Sequence, residues 1–397
     1  MNQRSLHAAI VLLLAATAGQ AGAYDLEDWP VHYTFSDGTD VGLTGVYRYD
    51  VNEFSDDRKP DGSDAFEDAH TNRRKEVGIT LKKKGVYEAI VDYEYQGKTW
   101  LDTNVRVQSK PFVGTDIGAF RFGYSKTPVA FEGVTGTKAT SFLELALPAQ
   151  AIFEGRRTGV DWQFERPAYI VNLGYYWGQD LLGDNDGTTV AGRVAWTPHK
   201  AEGDVIHLGV SASREDRDGT TDGRGVYHDP SARLSTPPET GLTPVRLVDT
   251  GSLSKADRVE RSGLEALWIG GPWSVQGELL RADVSRFGGN PDVSASGGYV
   301  FGSWVLTGES RPYSGGNVGN IKPKGTWGAW ELLLRYSELD LNDGPVRGGK
   351  EHDWTIGANW YLTQHFKFQA NYIQATSDKG NLSLDPKIFE LRAQIYF

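Results

Sequence analysis

The chain repeats one short pattern, a segment of about ten residues in which apolar and polar side chains alternate. In one such segment Trp354, Ile356 and Trp360 fall on one face, and Asp353 and Asn359 fall on the other. Successive side chains of a β-strand point to opposite faces, whereas a helix repeats its apolar positions every three to four residues. The pattern therefore predicts an all-β chain whose strands each have one apolar and one polar face.

About sixteen segments fit this pattern, which is an even number, as a single-chain bacterial barrel requires. Strands with an apolar outer face and a polar inner face satisfy their backbone groups in a bilayer only when the sheet closes on itself. We therefore predict a transmembrane antiparallel β-barrel. Its strands are predicted at residues 40–50, 74–83, 86–96, 99–108, 118–126, 156–165, 168–176, 188–196, 204–213, 257–268, 273–282, 294–307, 327–340, 351–361, 366–375 and 388–397.

The first residues have the order of features found in a secretory signal peptide. Arg4 supplies a positive charge, residues 8–18 form an apolar stretch, and residues 21–23 are small. A buried helix rarely combines these features in this order. We expect cleavage after Ala23, which leaves residues 24–397 as one barrel domain in the outer membrane of a Gram-negative bacterium.

The last predicted strand ends on an aromatic residue. Phe389, Leu391, Ile395 and Phe397 share one face of this strand. The strand is similar to the terminal strand that outer-membrane barrels present to their assembly machinery, so we expect that machinery as a partner. The alternative is an ordinary amphipathic strand at a sheet edge.

Charge and composition exclude several classes of function. The formal net charge of −11 makes nucleic acid an improbable ligand, and the absence of cysteine excludes disulfides and thiol chemistry. We find no nucleophile elbow, no zinc-protease motif and no phosphate-cradling glycine loop. We expect no enzymatic activity, no cofactor and no required metal.

The segments between predicted strands differ in character. Residues 84–85 and 270–272 read as short turns, and the polar stretches 52–72, 215–255 and 309–325 read as external loops. Residues 127–155 show no alternation and contain many apolar side chains. We expect this segment to fold into the barrel lumen and narrow it; the alternative is an external lid.

Several stretches resemble the family of phosphate- and polyphosphate-selective porins, and they follow the order of that family over nearly all of the mature chain. The region that resembles the family's constriction contains RFGYSKTP at 121–128, Phe131-Glu132 and Phe142 to Glu144. The other stretches are IHLG at 206–209, LTGESRPY at 306–313, GAWELLLRYS at 328–337, TIGANWY at 355–361, Asn371-Tyr372 and LRAQIYF at 391–397.

This resemblance implies a homotrimeric channel for passive diffusion of inorganic phosphate, polyphosphate or other small anions, in contact with outer-membrane lipid and lipopolysaccharide. Arginine and lysine side chains would draw anions to the constriction, because a guanidinium fork matches an oxyanion. The expected residues are Arg73 and Arg74, which match a paired arginine of the family, Arg121 and Lys126 on the strand before the inward loop, and Lys138 within it. Alternation also assigns Arg48 and Arg335 to the lumen. Structural ion pairing is the alternative role for each base.

Two positions depart from the family pattern. Gly133 stands where strongly phosphate-binding members have a lysine, and Leu145 stands where arginine is usual. Three functions therefore stay open. They are a phosphate-preferring anion channel, a weakly selective channel for small hydrophilic solutes, and a receptor or structural barrel that acts through its external loops.

Overall fold

The computed structural model describes residues 29, 31–178, 180–183, 187–379 and 382–397. The expected signal peptide, residues 1–23, lies outside the described residues. Within the described part, no helix is both long and apolar enough to cross a membrane. The predicted all-β class is confirmed.

Sixteen antiparallel strands form one closed barrel, as the sequence predicts. Each strand pairs with its neighbours in the chain, and the sixteenth pairs with the first, with Tyr49 opposite Ala393. The strands are β1 Thr39–Ser55, β2 Ala69–Lys83, β3 Tyr87–Glu94, β4 Thr99–Gln108, β5 Ala119–Lys126, β6 Arg156–Arg166, β7 Tyr169–Tyr176, β8 Gly187–Ala201, β9 Asp204–Arg217, β10 Ala256–Gly270, β11 Trp273–Arg286, β12 Val293–Val305, β13 Ala329–Asp343, β14 Val346–Tyr361, β15 Phe366–Lys379 and β16 Lys387–Tyr396.

The two ends of the barrel differ. The proximal end, defined by Trp29 and Phe397, carries the turns 84–86, 167–168, 202–203 and 271–272. The distal end carries the longer connections 56–68, 127–155 and 218–255. Short elements within connections are the helices α1 Lys110–Val113, α2 Phe131–Val134 and α3 Leu147–Ile152, a 3₁₀ turn Thr137–Ala139, and the small strands His32–Thr34, Thr220–Thr221, Tyr227–His228, Ser231–Ala232, Ser235–Thr236, Val248–Asp249, Leu253–Ser254, Tyr313–Ser314, Asn317–Val318 and Leu382–Leu384.

One connection lies at the end opposite to the one predicted. Residues 309–325 were expected to form an external loop, but they belong to the connection 306–328 between β12 and β13, at the proximal end. An even-numbered strand runs from the distal to the proximal end, so the connection after it must share the end that holds the short turns. The length and polarity of this connection alone predicted the wrong end of the barrel.

The outer face of the barrel is apolar and has aromatic side chains toward both ends. Near the proximal end Trp273 stacks on Trp304 with ring centroids 4.8 Å apart, and Trp330 stacks on Trp360 at 5.2 Å. Toward the distal end Tyr93 packs edge-on against Trp100. Such bands suit the two membrane interfaces, where an indole ring meets both hydrocarbon and water.

The lumen is filled unevenly. A cluster of buried apolar side chains joins α3 of the connection 127–155, residues of the connection 218–255, and the inner faces of β10 to β13. Leu147, Ile152, Leu234 and Val248 belong to this cluster, and each is at most 4% exposed. Two loops therefore form a core inside the barrel on that side, and they leave open space along the opposite wall.

Candidate functional site

The connection 127–155, predicted to fold inward, does so and is held by a carboxylate of the barrel wall. Glu278 on β11 accepts hydrogen bonds from the backbone N–H groups of Phe131 (2.5 Å) and Glu132 (2.9 Å). Ala130, which precedes α2, has a φ of 63°, a conformation that L-residues rarely adopt. Glu278 thus binds the first N–H groups of the helix directly after this sharp turn of the backbone.

A second anchor lies around Arg335 on β13. Its guanidinium forms an ion pair with Glu239 of the connection 218–255 at 2.6 Å and lies 3.5 Å from Glu132. It also stacks over the Phe142 ring at 4.0 Å from the centroid. Arg335 is fully buried. It therefore ties two loops to the wall rather than facing the open lumen.

Two further arginines of the wall hold the middle of the same connection. Arg392 on β16 pairs with Asp50 at 2.6 Å and with Glu144 at 3.1 Å, and donates to the Leu143 carbonyl at 2.6 Å. Arg48 on β1 donates to Gln394 at 2.6 Å and to the carbonyl of Thr137. Both arginines lie beneath the connection.

The two loops leave a cavity of about 450 Å³ along the wall formed by β1 to β8. Its charged lining contains six bases and four acids. The bases are Arg106, Arg121, Lys126, Lys138, Arg156 and Arg193, and the acids are Glu76, Glu88, Asp92 and Asp102. The whole chain carries a net charge of −11, whereas this lining holds more bases than acids.

Two lysines of the lining have backbone or hydroxyl partners and, among the described residues, no carboxylate partner. Lys126 donates to the carbonyls of Gly133 (2.8 Å) and Thr135 (2.7 Å). Lys138 donates to the Phe397 carbonyl at 2.8 Å and to the Thr44 hydroxyl at 2.5 Å. Neither ammonium group is therefore compensated by a carboxylate in direct contact with it.

Three arginines of the lining are paired. Arg121 forms an ion pair with Asp161 at 2.6 Å, Arg156 with Asp102 at 2.9 Å, and Arg193 with Glu265 at 2.8 Å. Arg106, in contrast, makes no ion pair or side-chain hydrogen bond within the described part of the chain, and its Nε is buried.

The connection 127–155 contains carboxyls with opposite pKa shifts. Burial opposes the ionisation of Glu144, but Arg73 and Arg392 outweigh it and lower the pKa of Glu144 to about 2. Burial raises the pKa of Glu132 to about 7, against the effect of Arg335. Burial also lowers the pKa of Lys138. Glu144 is therefore the firmly ionised anchor, and Glu132 titrates near neutrality.

The structure separates the predicted site residues into three groups. Arg121, Lys126 and Lys138 line the cavity. Arg73 and Arg74 lie at the start of β2, where Arg73 is 3.4 Å from Glu144 and Arg74 pairs with Glu76 at 2.7 Å. Arg48 and Arg335 are buried under the inward connection.

The predicted site residues leave out Arg193, which pairs with Glu265. Sequence reasoning also missed two further bases of the lining, Arg106 and Arg156. Both carried a usable signal: Arg106 lies between Val105 and Val107 in β4, so alternation assigns it to the lumen, and Arg156 begins β6 directly after the inward connection. No pattern in the sequence indicates that loop residues cover Arg335.

The two departures from the family pattern have structural reasons. A Cβ at Gly133 would lie 2.6 Å from the Phe153 ring, so a lysine there requires that ring to move. Leu145 packs against the apolar cluster that joins the two inward loops.

The connection 306–328 completes the lining from the proximal end. Gly315 and Asn317 face the cavity, and Asn317 accepts a hydrogen bond from the Thr135 hydroxyl at 2.7 Å. The Tyr313 hydroxyl lies 2.6 Å from the Nδ1 atom of His207.

Among the residues described, no group of three or more acidic, histidine or cysteine side chains could hold a metal ion.

Comparisons with known proteins match this chain to one family and to two curated relatives. The family model described as phosphate-selective porin O and P matches residues 41–397. An uncharacterised protein of Caulobacter vibrioides is 27% identical over 72% of this chain and 58% of its own length. Porin O of Pseudomonas aeruginosa is 29% identical over 49% of this chain and 50% of its own length. The matched region thus spans between half and three fifths of these curated relatives.

The fold is also shared with solved structures at low sequence identity. An anion-selective porin from Comamonas acidovorans superposes with a TM-score of 0.54 and 12% identity, covering 90% of this chain and all of that one (100%).

Proposed function

This chain belongs to the phosphate-selective porin O and P family, and on that premise we propose that it forms an outer-membrane channel for passive diffusion of small anions, with phosphate or polyphosphate as preferred solutes. The observation that carries the proposal is the presence in the cavity lining of three bases, Arg106, Lys126 and Lys138, that form no ion pair with a carboxylate of the described residues, in a chain of net charge −11. Porin O of Pseudomonas aeruginosa supports the proposal but is matched over only half of its length, so selectivity rests mainly on the lining.

The charge of the lining supports anion passage by a simple electrostatic argument. A narrow passage with low-dielectric walls concentrates ions of the opposite sign. Several sites of moderate strength let an anion leave as well as enter, whereas one very tight site would trap it. Lys126 and Lys138 suit this role because neither forms an ion pair with a carboxylate of the part of the chain that the structure describes. No catalytic function is proposed.

The proposal includes partners. The porin fold favours a homotrimer whose apolar outer strands contact lipid and lipopolysaccharide. The closing strand β16 is the segment proposed to engage the barrel-assembly machinery.

The test is a reversal-potential measurement on purified protein in planar bilayers across a KCl gradient. We expect preference for chloride over potassium, reduced several-fold in the double variant Lys126→Gln/Lys138→Gln. Lys59→Gln, in the exposed distal connection 56–68, is a control of the same chemistry at KCl concentrations near 1 M, where a Debye length of about 3 Å screens an exposed charge. A wild-type channel with cation preference or none would mean a general-diffusion pore. Absence of conductance would favour a receptor role.

A further inference from the structure

The connection 109–118, between β4 and β5, presents apolar side chains that the rest of the described chain leaves uncovered. It follows an even-numbered strand, so it lies at the proximal end, and it contains the short helix α1. Phe112 is 66% exposed, Val113 60% and Ile117 46%. Grouped apolar side chains that water would otherwise surround mark a surface that contacts another protein or a membrane.

Hydrogen bonds within the connection hold its backbone in one conformation. The Ser109 N–H donates to the Gly118 carbonyl at 3.0 Å, and the Ser109 hydroxyl accepts from the Ile117 N–H at 2.9 Å. The N–H groups of Phe112 and Val113 both donate to the Ser109 carbonyl at 3.0 Å. A braced backbone therefore presents these apolar side chains outward, and they are ready for a partner without further ordering of the chain.

The connection is attached to the outer wall of the barrel. Trp162 and Phe164 lie on the outer face of β6 and stack on each other with ring centroids 5.5 Å apart. The Trp162 indole N–H donates to the Ile117 carbonyl at 2.6 Å. Indole rings near the ends of membrane strands lie at the depth of the lipid headgroups. This hydrogen bond therefore brings Ile117 to the same depth and makes its surface continuous with the lipid-facing wall.

Two bases lie at the edge of the apolar side chains. Lys110, the first residue of α1, is exposed. Arg166 on β6 forms an ion pair with Asp116 at 3.0 Å and donates to the Asp116 carbonyl at 2.9 Å, which ties the connection to the wall a second time. Basic side chains beside an apolar surface can reach lipid headgroups while the apolar part stays in the hydrocarbon. The charge of this edge therefore suits a membrane surface.

We propose that Phe112, Val113 and Ile117 form an anchor that enters the lipid leaflet at the proximal end of the barrel, with Lys110 and Arg166 at the level of the headgroups. Short turns are typical of the periplasmic end of such barrels, so the partner is a phospholipid surface. A second copy of the chain fits less well, because the apolar side chains continue the aromatic band of the lipid-facing wall. The anchor goes beyond the channel proposal, since it concerns attachment of the barrel and not the solute that passes.

The absence of cysteine from the chain allows a spin label to be placed at one chosen position. The test compares labelled Phe112→Cys with two references in vesicles of phosphatidylethanolamine and phosphatidylglycerol. Leu264→Cys lies on the outer wall, where Leu264 is 56% exposed, and Lys84→Cys lies in a polar turn of the proximal end. Power saturation measures how accessible each label is to oxygen, which concentrates in hydrocarbon, and to a nickel chelate, which stays in water. We expect the ratio of oxygen to nickel accessibility at Phe112 to exceed that at Lys84 several-fold and to approach that at Leu264.

Two results would overturn the anchor. A label at Phe112 that is as accessible to nickel as the label at Lys84 would place the connection in water. A label shielded from both reagents would mean that a second copy of the chain covers this surface. Val113→Cys repeats the measurement at the neighbouring side chain, and unfolding temperatures in detergent equal to that of the wild type show that the labelled variants fold.

Discussion

At the scale of single residues, burial decides which bases stabilise the fold and which contribute charge to the lumen. Arg335 and Arg392 are each at most 1% exposed and bind carboxylates from the inward connections. Lys126 and Lys138 face the cavity with neutral partners. The first pair contributes to holding the loops, and the second pair contributes charge to the passage.

Arg335→Gln should destabilise the barrel strongly. The change leaves Glu239, which is fully buried, and Glu132 without their cation. Breaking a buried pair by removing one partner costs about 3–5 kcal/mol. Thermal unfolding in detergent should show this loss, with faster proteolysis within residues 127–155.

The matched control is Arg281→Gln. Arg281 and Asp283 form an ion pair at 2.7 Å on side chains that are 56% and 42% exposed. An exposed pair contributes at most about 1 kcal/mol. Equal losses in the two variants would contradict the role given to Arg335.

At the scale of elements, alternation predicted all sixteen strands, and β4 was predicted with its observed limits, 99–108. The errors concentrate where strands continue past the apolar band, as in β1, which extends to Ser55 instead of residue 50. Beyond the membrane both faces of a strand are polar, so the pattern that marks it disappears. The hydrogen-bonded ladder nevertheless continues there.

The candidate site was less predictable than the strands. The sequence assigns Arg48, Arg121 and Arg335 to the lumen alike, because alternation reports only the face of a strand. Which of them stays open depends on the connections 127–155 and 218–255, whose packing follows no period. Lys126 and Lys138 were recognised through resemblance to a family, and Arg106 was missed although its face was predictable.

The connection 127–155 should dock more weakly as pH rises from about 4.5 to about 7. The pKa of Glu132 is raised by burial from 4.5 to about 7. Its stabilising effect is therefore fully present below about pH 4.5 and is lost as pH rises through about 7. Glu144, with its pKa lowered to about 2, stays ionised throughout this interval. It therefore does not contribute to the change of stability with pH.

Unfolding temperatures of wild type and Glu132→Gln, measured from pH 5 to pH 8, check this. The wild type should lose on the order of 2–3 kcal/mol across the interval, and the Gln variant should lose much less, because its amide stays neutral. Parallel curves for the two proteins would show that Glu132 does not titrate in the folded barrel.

At the scale of the whole molecule, the barrel interior is divided between two kinds of packing. One side is an apolar core built by two inward loops, and the other is a charged cavity with more bases than acids. The net negative charge must therefore lie elsewhere, and the exposed distal connection 56–68 holds part of it, including Asp61, Asp64 and Glu67. An anion approaching from that end meets repulsion before it meets the basic lining.

This arrangement predicts a salt-dependent effect of acids that lie outside the cavity. The Debye length is about 30 Å at 0.01 M salt and about 3 Å at 1 M, so surface charges act on an entering ion only at low salt. Asp64→Asn/Glu67→Gln should raise the chloride conductance at 0.01 M KCl and leave it unchanged at 1 M, while Lys59→Gln on the same connection should lower it at 0.01 M. An effect of equal size at both salt concentrations would mean that these substitutions alter the passage itself. If the two variants change the low-salt conductance in opposite directions, the change comes from the electric field of the surface charges at the distal mouth. It does not come from the selectivity of the cavity.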